Sequence, residues 1–429
     1  MPQRFPFSGQ AHDMSETKYS PALHRFALLV WLCALGLIAM GGLVTSHGVG
    51  MSVPDWPTSY GYNMFALPVS TWLTGGVFQE HTHRLWASAV GVLVVALTRW
   101  LGGRRARLPL AIVGGLEIAA GQGLFWLGPE WRGAGHFLSG IGGVVVLAAI
   151  VWVRHEPAPR PLPRLGWLAF WLVQLQGLLG GLRVVLDAHV FAGTKLGVWF
   201  GVFHGCLGQI FLVLLGVIAL LTSRWWSAAE RPRLRDVRPV VGWMLVVTTG
   251  LVFCQLILGA TMRHQHAGLS IADFPLAHGR WWPDTSPEAV ARYNAERVEV
   301  LAQNPITAFQ IDLQMAHRLM ALAILFAISA CLVKINQAVP RGHVLRRLAW
   351  GWLLLVLTQA GLGAWTIWSN KAADVATLHV VVGAVTLVSG ALISIIHFRC
   401  CGKRAFLASE AVCGEPARPS AAAQAQPVH

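Results

Sequence analysis

The chain has 429 residues, of which 55% are hydrophobic and only 12% are charged. A soluble globular domain carries about 25% charged residues, so this composition excludes an ordinary soluble protein and indicates one embedded in a membrane. The formal net charge of +14 lies in short basic clusters between apolar segments, which is typical of membrane topology and not of a nucleic-acid-binding surface.

Apolar segments of about 20 residues recur along the whole chain and predict ten transmembrane helices. Their approximate bounds are 25–46, 83–101, 110–128, 134–154, 165–186, 197–222, 240–262, 316–336, 347–368 and 376–397. The first segment runs directly into Gly41-Gly42 and a long polar loop, which argues against a cleaved signal peptide. We therefore expect an all-α polytopic membrane protein.

The basic residues between the predicted helices set the orientation. With the N-terminus in the cytoplasm, the inner segments hold most of the Arg and Lys residues, including the clusters around Arg104, Arg235 and Arg346. Cytoplasmic loops are enriched in Lys and Arg. We therefore expect both termini in the cytoplasm of a cell-membrane protein and the long loops, 47–82 and 263–315, outside.

Four segments of the first half resemble four segments of the second half, in the same order. The pairs are GLVTSHGVGMSVPDWP, ending at Pro57, and GATMRHQHAGLSIADFP, ending at Pro275; HRLWASAVGVLVVAL from His83 and HRLMALAILFAISAC from His317; LVQLQGLLGGL around Gln176 and VLTQAGLGAW around Gln359; and the segments around His204 and His379. Such a repeat predicts two pseudo-symmetric four-helix bundles.

The spacing within the repeat predicts an extra helix pair in the first half. His83 and His204 are 121 residues apart, whereas His317 and His379 are 62 residues apart. The difference matches two of the predicted helices, so we expect residues of about 108–163 to form a peripheral pair outside both bundles. The expected domains are a cytoplasmic tail at 1–24, the N-terminal bundle at 25–222, a cytoplasmic linker at 223–239, the C-terminal bundle at 240–397 and a cytoplasmic tail at 398–429.

Four histidines carry the strongest functional signal. His83, His204, His317 and His379 each lie at the outer end of a helix that is predicted to run inward. A single intramembrane histidine often only bonds a carbonyl, but four at matched depth in a repeat favour function. Zinc would require further ligands. Two imidazoles on facing helices instead suit the axial positions of haem iron in an apolar slot.

The residues around these histidines differ between the halves. Glu80 stands three residues before His83, whereas Gln314 stands three residues before His317. Residues three apart share one face of a helix. The carboxylate favours acid–base chemistry in the first half, with electron transfer or support in the second. Alternatively, Glu80 caps the N-terminus of its helix, where negative charge is stabilising.

Two arginines and several further histidines have open roles. Arg84 and Arg318 directly follow two of the four histidines, and they could either pair with haem propionates or extend to the membrane surface. The other histidines of the outer region are His47, His81, His264, His266 and His278, for which we expect solvation in the loops, with haem capture by His47 or His266 as the alternative. His136, in the extra pair, is either a spare ligand or an interfacial histidine.

The motif Glu80-x-x-His83-Arg84 resembles that of the haem A synthase (heme A synthase) family. The resemblance also includes His317-Arg318, the later His204 and His379, and the stretch GVGMSVPDWP at 48–57, and it covers 25–397 except the extra pair. Members of the family commonly have eight spans and a cysteine pair in the first outer loop, whereas residues 47–82 contain no cysteine.

The resemblance implies a specific reaction and a role for each residue. It implies that His317 and His379 ligate haem b (heme b), that His83 and His204 flank the substrate haem O (heme O), and that Glu80 is the catalytic carboxylate. The reaction is oxidation of one ring methyl of haem O to a formyl, through successive hydroxylations, to give haem A for cytochrome oxidase. Haem O synthase and cytochrome oxidase assembly proteins are the expected partners.

Two other functions remain compatible with the residues alone. A non-catalytic di-haem b-type cytochrome that transfers electrons from quinol would need the four histidines but not Glu80. A haem transporter would also contain a repeat, although broken helices and charges at the membrane midplane, which are typical of transporters, are absent from the sequence pattern.

Overall fold

The computed structural model describes residues 19–151, 156–191, 193–227, 239–296 and 305–401. Residues 1–18 and 402–429 of the predicted tails, and 228–238 of the predicted linker, lie outside the described residues. Within the described part, the chain is almost entirely helical. Its one sheet there is the antiparallel pair β1 (Val190–Phe191) and β2 (Thr194–Lys195).

Ten long helices form the body of the protein. They are α1 (Pro21–Ser46), α2 (Gly75–Gly102), α3 (Arg107–Leu124), α4 (Arg132–Val151), α5 (Leu162–Val185), α6 (Leu196–Leu221), α7 (Pro239–His264), α8 (Ala308–Ala338), α9 (Val344–Trp368) and α10 (Ala373–Cys401). Short helices at Val69–Trp72, Arg224–Ser227 and Pro287–Ala295 lie between them.

In the described residues, nine segments are long and apolar enough to cross a membrane, with Gly75–Leu124 counted once as a segment of 50 residues. That segment is two helices, because Gly103 adopts φ of 51° at the end of α2 and breaks the helix. Val95 of α2 and Leu110 of α3 share one buried cluster, so α3 folds back along α2. The prediction of an all-α polytopic membrane protein is confirmed.

The helices α2 and α8 begin earlier than the sequence predicted. They start at Gly75 and Ala308, whereas the apolar segments start near residues 83 and 316. The hydropathy pattern marks only the apolar part of each helix, but the helical hydrogen bonds continue through the polar turns that carry Glu80 and Gln314. These turns project both residues from a helix and not from a loop.

The helices pack as two bundles that are joined along one side. The first bundle contains α1, α2, α5 and α6, and the second contains α7, α8, α9 and α10. Each has its own buried apolar cluster, and Trp352 at the centre of the second is 1% exposed. Helix α10 contacts α1 and α6, and α6 also contacts α7, so the bundles share a wall.

The loops that precede α2 and α8 repeat the same hydrogen bonds. Asp55 accepts the backbone N–H of Tyr60 at 2.6 Å and of Gly61 at 2.9 Å. Asp273 accepts the equivalent N–H of His278 at 2.7 Å and of Gly279 at 2.8 Å. All four donors lie at positive φ, where glycine or a locally bonded residue is required. The repeat therefore extends to the backbone of the loops.

Helices α3 and α4, the extra pair, pack mainly against each other. Their axes approach closely at glycines: a Cβ on Gly114 would lie 2.6 Å from the carbonyl oxygen of Gly142. The pair packs beside the first bundle, and it is not separate from the site. Phe137 of α4 meets Trp56 of the first loop with ring centroids 5.6 Å apart.

Candidate functional site

A continuous cavity of about 1920 Å³ extends through both bundles at the end that carries the long loops. The four predicted histidines all line it, together with Glu80, Arg84 and Arg318. The structure therefore brings the predicted site residues to one place, in two groups. His83 and His204 belong to the first bundle, and His317 and His379 belong to the second.

Each of the four rings lies against a glycine of a neighbouring helix. A Cβ added to that glycine would lie 3.1 Å from Cε1 of His83 at Gly41, 3.3 Å from Cε1 of His204 at Gly180, 3.4 Å from Cε1 of His317 at Gly259, and 3.4 Å from Cε1 of His379 at Gly363. These glycines are equivalent in the repeat. They allow the helix backbone to approach each ring closely and so fix its position.

The backbone of three of these histidines is held by a glutamine. Nε2 of Gln359 donates to the carbonyl of His379 at 2.7 Å, and Gln176 and Gln255 do the same for His204 and His317 at 3.2 Å and 2.9 Å. The ring Nδ1 atoms of all four histidines are buried without a hydrogen-bond partner among the described residues. A buried Nδ1 without a partner costs free energy, so these rings are held in place at a cost to stability, which is typical of functional residues.

The C-terminal pair has the spacing of two axial ligands. The ring centroids of His317 and His379 are 6.4 Å apart, with an interplanar angle of 60°. A metal ion held between two imidazoles by bonds of about 2.0 Å, with about 1.1 Å from each nitrogen to its ring centroid, would place the centroids about 6.2 Å apart. In the described residues, no group of three or more His, Cys, Asp or Glu side chains could hold a metal ion. The donor set fits haem iron.

Glu80 is a buried carboxylate, 4% exposed, that faces the cavity and also holds the first loop. Its Oε2 accepts the backbone N–H of Val53 at 2.9 Å, and its Oε1 pairs with Nη2 of Arg84 at 2.8 Å. It does not cap α2, whose N-cap is Thr74. The alternative interpretation of Glu80 as a helix cap is therefore wrong.

Gln314 repeats the loop contact of Glu80 with a neutral group. Its Oε1 accepts the backbone N–H of Ile271 at 2.8 Å and the hydroxyl of Ser270 at 2.8 Å. Its Nε2 donates to the carbonyl of Ile271 at 3.2 Å. The contact with the loop therefore needs only an acceptor oxygen, and the negative charge of Glu80 is additional to it.

The two arginines after the histidines contact the loops. Arg84 donates from Nη1 to the carbonyls of Asp55 at 2.7 Å and Thr58 at 3.1 Å, and from Nη2 to Glu80 and to Val53 at 2.8 Å. These contacts use its four terminal N–H groups, so none remains for a propionate.

Arg318 has more free donors than Arg84. It donates only to the carbonyls of Leu276 at 2.8 Å and Asp273 at 2.7 Å, and its Nε is buried without a partner in the described part of the chain. Terminal N–H groups therefore remain for a ligand in the second half. The predicted propionate contact fits Arg318 better than Arg84.

Sequence reasoning missed Arg183. This residue of α5 lines the cavity beside Gly50, where a Cβ would lie 2.5 Å from its Nη2, and it has no hydrogen bond or ion pair among the described residues. Its position near the end of an apolar helix is equally typical of an arginine at the membrane surface, so the sequence did not separate the two. It is a cation that lies near the first histidine pair, and the charges of Glu80 and Asp187 act on it.

His264 and His136 are also part of the cavity wall. His264 is the last residue of α7, and its ring lies against Gly201, one turn from His204 on α6. The prediction that His264 is solvated in a loop is wrong, because α7 extends two residues beyond the predicted span. His136 lines the cavity and meets Phe125 edge to face at 4.8 Å.

These observations define the class of the protein: a helical multi-pass membrane protein with two histidine pairs around one large apolar cavity. The chain belongs to the COX15-CtaA family of cytochrome oxidase assembly proteins, whose family model matches residues 132–390.

Several proteins named heme A synthase are similar to the chain. The protein of Nitrosomonas eutropha is 26% identical over 378 residues, which cover 86% of this chain and 93% of that protein. The protein of Bradyrhizobium sp. (strain BTAi1) is 28% identical over 370 residues, covering 82% and 86%. The protein of Caulobacter vibrioides is 28% identical over 280 residues, covering 62% and 71%.

Proposed function

We propose that the protein is a haem A synthase, an oxidoreductase that converts a ring methyl of haem O to a formyl. The single observation that carries the proposal is a difference in charge between two sites that the repeat relates. One site presents the carboxylate of Glu80 beside His83, and the other presents the neutral Gln314 beside His317. Names of similar proteins support the same activity.

In this proposal, the C-terminal bundle holds haem b between His317 and His379. The centroid distance of 6.4 Å and the glycines behind both rings support this assignment. Bound there, haem b supplies one-electron transfer. Arg318, which keeps free N–H groups, and Lys371, whose side chain lines the same part of the cavity, are the nearby cations for its propionates.

The N-terminal bundle holds the substrate, haem O, between His83 and His204. Arg183 binds a propionate, because it lines the cavity near this histidine pair and its N–H groups form no hydrogen bond with the described residues. When water supplies the oxygen, oxidation of a methyl to a formyl releases four protons and four electrons. Glu80 accepts protons beside the ring, and an external one-electron acceptor, reached through the second bundle, takes the electrons.

The site lies at the loop end of both bundles, which the distribution of basic residues places at the outer face of the cell membrane. Both termini are then cytoplasmic. A protein that receives haem O from the lipid phase would work beside haem O synthase and cytochrome oxidase assembly proteins, which are the proposed partners.

The test is expression in a host that makes haem O but no haem A, followed by chromatography and mass analysis of the extracted haems. We expect haem A in the membranes, and haem b together with haem O, a hydroxylated intermediate or haem A in the purified protein. Unchanged haem O, with two equivalents of haem b per chain, would overturn the proposal in favour of a di-haem cytochrome.

A further inference from the structure

Four positions that line the cavity have smaller side chains in the first half than in the second. The repeat aligns Ser88 with Leu322, Gly91 with Leu325, Gly177 with Ala360 and Gly205 with Val380, and all eight residues line the cavity. At each of these positions the first half has the smaller side chain. Two of these positions lie on α2, the helix of His83, where Ser88 and Gly91 stand in place of Leu322 and Leu325 of α8. The largest differences in side-chain size therefore lie along α2.

The extra helix pair contributes to the cavity wall in the first half. Gly140, Ile141 and Val144 of α4 line the cavity opposite α2. Since an α-helix rises 1.5 Å per residue, the lining stripe of α4 from His136 to Val144 is about 12 Å long. In the described residues, the second bundle has no helix equivalent to α4.

Side-chain contacts close the space between α2, α4 and α5 at both ends. At its inner end, α2, α4 and α5 close together in a buried cluster that contains Val95, Val145 and Phe170. At the loop end, Phe137 of α4 contacts Trp56. Between these contacts, a Cβ added to Gly91, Gly140 or Gly177 would meet no atom within 4 Å. The three glycines therefore border open space and are not needed for helix packing.

We propose that α2, α4 and α5 enclose a channel for the long isoprenoid chain that distinguishes haem O from haem b. The proposal rests on the proposed function, since it takes haem O as the substrate of the first half. Haem b has no such chain, and the second half, proposed to hold haem b, has Leu322 and Leu325 in the equivalent space. An apolar chain buried here adds about fourfold to affinity per methylene.

The experiment compares haem O and haem b as ligands of the purified protein that retains its resident haem. Gly140→Leu and Gly91→Leu fill the channel from opposite walls, and Gly91→Leu copies the residue that the second half carries. Gly143→Leu is the matched control, because Gly143 lies on the same helix, has no atom within 4 Å of an added Cβ and does not line the cavity.

We expect the wild-type protein and Gly143→Leu to bind haem O at least about tenfold more tightly than added haem b. Both channel variants should lose about tenfold or more in haem O affinity and in conversion. Their affinity for added haem b should stay within about threefold of wild type, and the resident haem spectrum, which reports folding, should be unchanged.

Unaltered haem O affinity in both channel variants would overturn the channel. So would an equal loss of affinity for both haems, because the residues would then contact the ring and not the chain. The proposed function fails separately: a wild-type protein that prefers haem O but forms no haem A would retain the channel and lose the oxidation.

Discussion

In the first half, the backbone N–H of Val53 donates a hydrogen bond to the side chain of Glu80 at 2.9 Å. In the second half, the backbone N–H of Ile271 donates to the side chain of Gln314 at 2.8 Å. An acceptor oxygen at the same helix position binds the equivalent loop in both halves, so this loop contact does not require a charge at residue 80. The carboxylate of Glu80 also pairs with Arg84, and a buried carboxylate that faces a cavity is typical of a functional site. This difference supports the proposal that the chemistry takes place in the first half.

The positions of the arginines are a second difference between the halves. The repeat aligns Arg183 with Thr366, and Arg263 with Thr45, so each half has one arginine at a place where the other half has threonine. Arg263 donates to the carbonyl of Gly42 and to the hydroxyl of Ser46, both at 2.8 Å, and so joins the second bundle to the first. Arg183 faces the cavity of the first half, where we propose that it binds substrate.

The largest effect should follow loss of a histidine of the second pair. His317→Ala and His379→Ala each remove one of the two proposed ligands of haem b, so each variant should lose the tightly held haem b and all activity. Reduced absorption spectra and extracted haem content measure this. A full cytochrome b spectrum in either variant would show that the iron ligands lie elsewhere.

Glu80→Gln tests the difference between the halves directly. The amide keeps an acceptor for Val53, as Gln314 does for Ile271, but removes the charge. We expect a folded protein with normal haem b and with haem A formation reduced about 100- to 10,000-fold, the range of lost acid–base catalysis.

The matched control is Glu130→Gln, because Glu130 is another carboxylate that lines the cavity, at its exposed edge. It should convert haem O normally. The ratio of haem O to haem A in cells measures both variants, and near-normal conversion by Glu80→Gln would leave Glu80 with only its loop contact.

Arg183→Ala should raise KM for haem O about tenfold or more, because a hydrogen bond to a charged group contributes about 1.5–3 kcal/mol. Its Tm should stay near that of wild type, since Arg183 bonds no described residue. Arg84→Ala should instead lower Tm, because it removes four hydrogen bonds and leaves the buried Glu80 unpaired. A fall in Tm with unchanged KM for Arg183→Ala would assign Arg183 to structure.

A smaller effect concerns the first loop. Burial acts to raise the pKa of Asp55, but hydrogen bonds from Thr58, Gly61 and Tyr60 outweigh it and hold the pKa below its ordinary value. Because the pKa is lower in the folded than in the unfolded state, ionised Asp55 stabilises the protein above about pH 4. That contribution is lost as the pH falls through the folded-state pKa.

Asp55→Asn should therefore lower stability by about 1 kcal/mol at pH 7, and the difference in Tm from wild type should shrink below about pH 4. Asp312→Asn, at an exposed position of α8, is the control and should leave Tm unchanged at both pH values. An equal difference for Asp55→Asn at pH 3 and pH 7 would contradict the role of its charge.

The sequence predicted the helices and the four histidines because both signals are local. An apolar run of sufficient length predicts a transmembrane helix whatever the helix packs against. A histidine within such a run can be recognised from the sequence alone. The repeat then paired His83 with His317 and His204 with His379, and it also exposed the contrast of Glu80 with Gln314. The roles assigned to these residues remain predictions.

The features that the sequence did not reveal depend on contacts between distant helices. The glycine behind each histidine lies on another helix, and nothing near Gly41 in the sequence points to His83. His264 was misplaced because α7 is two residues longer than its apolar run. The extra pair was expected to be peripheral, yet the face of α4 that includes Gly140 lines the cavity, which only the packing of α4 against α2 determines.

The most direct test of the central claim, that the two halves hold different haems, is the haem content of the variants His83→Ala and His204→Ala purified from a host that makes haem O. The account predicts one equivalent of haem b per chain, held by the second half, with haem O, its hydroxylated form and haem A absent. Loss of haem b from these variants, or retention of haem O by both of them, would contradict it.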